Sequence, residues 1–73
     1  MEPTQLQIGL VYKWLSWKLP RQEAKDAVSW LKNNATRKQV STEISRLHDL
    51  YHSNKLNKET LYTGEIWEGF EHD

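Results

Sequence analysis

Two histidines four residues apart, His48 and His52, lie in the segment RLHDLYH. On a helix this spacing puts both imidazoles on one face, an arrangement that metal sites use. The chain has no cysteine, and Asp49 points about 100° away from the neighbouring His48, so no third ligand accompanies the pair. Ser41, Ser45, His48 and Asp49 are the residue types of a nucleophilic triad, but their spacing lines one side of a helix with no oxyanion loop. Gly64 and Gly69 stand alone and make no phosphate loop. Carboxylate pairs for acid–base work would have to come from the C-terminal stretch, which two glycines make a poor rigid support. These residues predict a protein that is not an enzyme, with no metal, no cofactor and no small-molecule substrate.

The elements that carry them must come from 73 residues, enough for one small core. Without cysteine, neither a disulfide framework nor a thiolate metal site can reinforce it. Four tryptophans compensate, since each can bury roughly 150–250 Å². No apolar run reaches the length of a bilayer span, and the opening MEPTQLQ lacks the basic start of a signal peptide. A protein outside the membrane, in the cytoplasm, is expected.

Thr4 and Gln7 form the pattern of a capping box, predicting a helix from about Gln5 to Lys18. Its apolar residues make two arcs on a helical wheel: Ile8, Val11, Tyr12 and Leu15 on one, Leu6, Leu10, Trp14 and Trp17 on the other. Leu6, Ile8, Leu10, Tyr12 and Trp14 also alternate as a strand would, so the first turns carry a rival reading. Leu19-Pro20 ends this helix, and Pro20 suits the first position of the next. Ala24, Ala27, Val28 and Leu31 recur at helical spacing, with Trp30 beside them. Asn33-Asn34 then stops the helix through the left-handed conformation that asparagine tolerates. Thr36 and Gln39 form a second capping box, followed by the stripe Val40, Ile44, Leu47 and Tyr51. Ser53-Asn54 closes it, and Asn57 can cap a short fourth turn at Lys58–Tyr62. The fold expected is all-α: a compact three-helix bundle over residues 1–62, with a short fourth helix as an option. Residues 63–73 form a partly disordered acidic and aromatic tail.

Charge divides along the same line. All ten Lys and Arg lie within residues 1–58, against Glu2, Glu23, Asp26, Glu43 and Asp49, a net +5. The remainder holds Glu59, Glu65, Glu68, Glu71 and Asp73, a net −5. An acidic end on a basic body either latches onto that body or reaches for a basic partner. Gly64 and Gly69 oppose a stable helix, so the end is expected to be mobile beyond about Gly64 and to serve as an interaction arm. Candidate partner contacts are Glu65, Trp67, Glu68 and Phe70 on the arm and Arg37, Lys38 and Arg46 on the third helix. Trp14 and Trp17 join them, because a core this small would struggle to bury both arcs of the first helix.

Two resemblances follow. Residues 36–47, TRKQVSTEISRL, resemble the recognition helix of a helix-turn-helix, which implies a DNA-binding regulator. Against it, the turn lacks glycine, Trp30 falls where a small residue is usual, Glu43 takes an apolar position, and +5 is modest for neutralising six or more phosphates. The second lies in the character of the whole chain: VYKWLSW at the front, a basic body, and GEIWEGFEHD at the end. In this the chain resembles small phage-encoded regulators of bacterial RNA polymerase. That resemblance implies a non-catalytic protein in the bacterial host cytoplasm that binds the polymerase, hinders promoter engagement and lets elongating polymerase pass terminators. It leaves room for weak nucleic-acid contact.

Overall fold

A computed structural model describes residues 1–71. It comprises α1 (Gln5–Ser16), α2 (Arg21–Asn34) and α3 (Arg37–His52), followed by one 3₁₀ turn at Glu65–Trp67. Among the described residues there is no strand. The architecture is the all-α three-helix bundle that the sequence predicts.

Local chemistry explains each helix start. Thr4 Oγ1 accepts from the Gln7 amide at 3.1 Å, while the Thr4 amide donates to Gln7 Oε1 at 2.9 Å. This reciprocal cap satisfies two otherwise orphan donors and fixes the first turn as helix. The alternation from Leu6 to Trp14 therefore does not become a strand. Thr36 and Gln39 repeat the device at the head of α3.

The ends differ in detail from expectation. α1 stops at Ser16 rather than Lys18, because the next bonds tighten to three-residue spacing: Trp17 to Trp14 and Lys18 to Leu15. Pro20, at ψ 150°, is the extended cap residue before α2 rather than its first helical residue. α2 does end at Asn34, but without a left-handed residue. Ala35 is extended, and the side-chain Nδ2 groups of Asn33 and Asn34 donate back to the carbonyls of Ser29 and Trp30. The left-handed asparagine comes after α3, at Asn54 with φ 59°. There the Lys55 amide reaches back to the Leu50 carbonyl at 2.8 Å, a six-to-one closure of the helix end.

The core draws on every element. α1 contributes Val11 and Leu15, α2 contributes Ala24, Ala27, Val28 and Leu31, and α3 contributes Val40 and Leu47. Leu56, Leu61 and Trp67 complete it from the C-terminal segment. Asn57 caps a single turn there, its Oδ1 accepting from the amides of Glu59 and Thr60. That turn is no fourth α-helix, yet it delivers Leu61 fully buried into the core.

This packing corrects the picture of a reaching arm. Trp67 is 3% exposed and belongs to the same core as Leu15 and Leu31. Ile66 and Phe70 pack against that core half-buried, so no break in packing separates residue 62 from residue 63. Asp73, part of the expected acidic arm, lies outside the described residues. No helix among the described residues is long and apolar enough to cross a membrane.

Candidate partner-binding surface

What holds the C-terminal segment in place is a carboxylate on the buried stripe of α3. Glu43 follows Val40 by three residues and precedes Leu47 by four, so helix geometry turns it inward, and it is 2% exposed. A buried carboxylate is costly unless paired and hydrogen-bonded. Arg46 meets it in bidentate fashion, Nε to Oε1 at 2.7 Å and Nη2 to Oε2 at 2.6 Å. The Trp67 indole N–H donates to Oε2 at 2.7 Å. Arg46 extends its remaining donor capacity to the C-terminal segment: the Thr60 carbonyl and Thr63 hydroxyl at 2.9 Å each, and the Leu61 carbonyl at 2.5 Å. One ion pair thus fastens a loop to α3 through both backbone and indole. Arg46, expected as a free partner contact, is occupied within the molecule.

Gly64 is needed here for close approach, not for an unusual backbone, since its φ is −72°. A Cβ at this position would lie 2.6 Å from Glu43 Oε1 and 2.7 Å from Arg46 Nε. Any larger residue must displace two side chains that are pinned by each other.

Beside the ion pair sits an aromatic cluster. Trp30 of α2 stacks on Trp67 with ring centroids 6.2 Å apart, and Phe70 lies 5.3 Å from Trp30. Tyr62 meets Trp67 edge-on at 5.1 Å. Burial, then the charge of Glu23 and a hydrogen bond to it, push the Tyr62 phenol from 10.0 up to about 12. The stabilisation tied to the neutral phenol is fully present below pH 10, where the phenol is protonated in both folded and unfolded chains. It is lost as pH rises towards 12, because the unfolded chain ionises first. An ultraviolet pH titration is expected to show a tyrosine ionising near pH 12, and Tyr62→Phe should remove that step. If the variant keeps the late step, the assignment to Tyr62 is wrong.

The basic start of α3 is partly committed too. The Arg37 amide donates to the Met1 carbonyl at 2.8 Å, its Nε donates to the Glu2 carbonyl at 3.2 Å, and its own carbonyl accepts from Gln7 Nε2. Arg37 therefore pins the N-terminal residues Met1 and Glu2 across the head of α3. Lys38 is exposed at the edge of a groove of about 600 Å³, which is also lined by Thr42, Arg46, Gly64, Glu65 and Ile66. Glu65 and Glu68 point to solvent, while Trp67 and Phe70 between and beyond them face the body.

The surface left uncovered is on α1. Its first arc enters the bundle, with Val11 and Leu15 fully buried. Its second arc does not: Leu6 is 82% exposed, Leu10 42% and Trp17 48%, and Tyr51 of α3 joins them at 46%. Trp17 tilts against Tyr51 at 5.3 Å, and Trp14, half-buried, sets its edge to His48 at 6.2 Å. Lys13 Nζ lies 5.5 Å above the Trp17 ring, a cation–π contact. His48 and His52 lie along the same side of α3, their rings tilted at 51° with centroids 4.3 Å apart. Among the described residues no group of three metal-binding side chains forms around them.

Compared with protein-family models, with curated proteins and with solved structures, the chain shows no match. Function must therefore be argued from this geometry.

The nine candidate contacts thus separate. Trp17 shares one uncovered face with Leu6, Leu10 and Tyr51, and Trp14, half-buried against the core, does not lie open on it. Lys38 and Glu65 line the groove, Glu68 is solvated, and Arg37 ties down the N-terminus. Arg46, Trp67 and Phe70 hold the fold together. The sequence reading missed Glu43 as the anchor, although its place between Val40 and Leu47 and its three-residue spacing to Arg46 were visible signals.

Proposed function

We propose that this chain is a small non-catalytic regulator that acts by binding a protein partner. The observation that carries the reading is the uncovered face of Leu6, Leu10, Trp17 and Tyr51 on a domain whose core is already closed without it. Tryptophan and tyrosine desolvate a large area while freezing few torsions, which is why they concentrate in interaction hot spots. Contiguous apolar surface on a small domain marks a contact site more often than chance.

The partner we propose is bacterial RNA polymerase, with hindered promoter engagement or terminator read-through as the outcome, in the host cytoplasm. Its support is the resemblance in size and in aromatic and charge layout to phage-encoded polymerase regulators. Affinity capture from a bacterial lysate with the full chain is expected to retain polymerase subunits, and Leu10→Asp/Trp17→Ser should lose them while keeping its helical circular dichroism. Equal capture by both proteins would place the contact elsewhere, and absence of polymerase from the wild-type capture would end the polymerase reading.

A DNA-binding helix-turn-helix has less support. Arg46 is spent on Glu43 and loop carbonyls, and Arg37 on the N-terminal backbone, leaving Lys38 of the three basic candidates. An electrophoretic shift at low salt that Lys38→Ala weakens would revive it.

A further inference from the structure

We infer that the uncovered face of α1 is a docking site for an acidic amphipathic helix of the partner. This rests on the protein-binding reading above and specifies the chemistry of what is bound. Leu6, Leu10 and Trp17 recur at four and seven residues along one side of α1. They span about 16 Å, or three helical turns, a length that a partner helix matches with apolar side chains at i, i+4, i+7 and i+11. Tyr51 and His48 of α3 stand beside Trp17 and Trp14, so α3 lines one side of the face along its C-terminal half.

Charge decides the sign of the occupant. From Pro3 to Gln22 the chain holds Lys13, Lys18 and Arg21 and no Asp or Glu. All three cations are exposed. Glu2 precedes the face, and Asp49, the carboxylate on the α3 side, lies 3.5 Å from His48 Nδ1. Carboxylates on a bound helix would meet Lys13, which already lies over Trp17, with Lys18 following in the chain, and such pairing orients and speeds encounter. A second copy of this chain fits poorly, because its own face carries the same cations and supplies no carboxylates of α1 to meet them. The chain's own acidic segment is not the occupant either, since its Trp67 is buried beside Glu43 on another side of α3.

The test is selection from a displayed library of amphipathic helical peptides about 18 residues, or five turns, long. Their apolar stripe is fixed and their flanking positions are drawn from Glu, Lys and Gln. The bait is the full chain at low salt. Enriched peptides should be net acidic, and their affinity should fall at least about tenfold, or ~1.4 kcal/mol, for Leu10→Asp. Lys13→Glu/Lys18→Glu, both at exposed positions, should shift enrichment to basic peptides. Leu10-dependent enrichment of neutral or basic peptides by the wild type would overturn the acidic helix while leaving a protein-binding face intact. Absence of any Leu10-dependent enrichment would overturn both. So would Leu10-dependent binding to phosphatidylglycerol vesicles or self-association in its place.

Discussion

Glu43→Ala is expected to destabilise the protein by about 3 kcal/mol, the lower end of the range for breaking a buried pair from one side. The lower end applies because Arg46 keeps 23% side-chain exposure and can rehydrate in part. Three things fail together in this variant: the guanidinium loses its counter-charge, the Trp67 N–H loses its acceptor, and a cavity opens beneath the C-terminal loop. In a domain this small, each kcal/mol moves the melting temperature by roughly 4–8 °C, so a fall of about 12–24 °C is predicted in a thermal melt. A double-mutant cycle with Arg46→Met separates the pair from its neighbours. Removing both charges should cost less than the two single costs added, because neither ion is stranded. A loss below about 1 kcal/mol for Glu43→Ala would mean that the pair does not hold the segment.

The second large effect contrasts two tryptophans. Trp67→Ala should cost about 3–5 kcal/mol, since it empties a core position and removes the partner of Trp30, Tyr62 and Phe70. Such a loss is of the same order as the total stability of a domain this size, roughly 0.05–0.15 kcal/mol per residue. The variant is expected to be largely unfolded or to melt near room temperature. Trp17→Ala removes an equally large side chain from a half-exposed site and should cost under about 1 kcal/mol. Its loss should appear instead in partner binding, by 2 kcal/mol or more if Trp17 is a hot spot. Urea denaturation of both variants, followed by circular dichroism, checks the first half, and titration of the partner checks the second. Similar stability losses for the two would remove the distinction between a core closer and a contact residue.

The C-terminal segment shows why its placement was hard to read. Gly64 and Gly69 and the exposed acids Glu65, Glu68 and Glu71 look like a solvated end, and helix propensity argues the same way. Yet no regular helix is required. A 3₁₀ turn of three residues points Trp67 inward, and the compensation comes from elsewhere in the chain: Glu43 accepts from the indole, Arg46 grips the carbonyls, and Gly64 leaves room for both. None of these partners is within twelve residues of Trp67 except Gly64 and the carbonyl groups. The charge split between body and tail pointed to a latch made by the tail's carboxylates, but Glu65 and Glu68 stay in solvent. The segment is held by its carbonyls on Arg46, its indole on Glu43 and an aromatic cluster.

By itself the sequence determined the three helices, the starts of α1 and α3 and most of the core. Capping boxes at Thr4 and Thr36 act within four residues, and the stripes Ala24–Ala27–Val28–Leu31 and Val40–Leu47 follow from 3.6-residue periodicity alone. It also established that α1 carries more apolar surface than one contact needs. Only the tertiary structure decided which arc of α1 is spent on the core, because two arcs of similar hydrophobicity differ in nothing but the direction from which α2 and α3 approach. In the same way, it decided that Glu43 and Arg46 serve the interior while Lys13 lies over Trp17 on an open face. Charge identifies a side chain's need for a partner, and the partner's position is fixed by contacts between residues far apart in the chain.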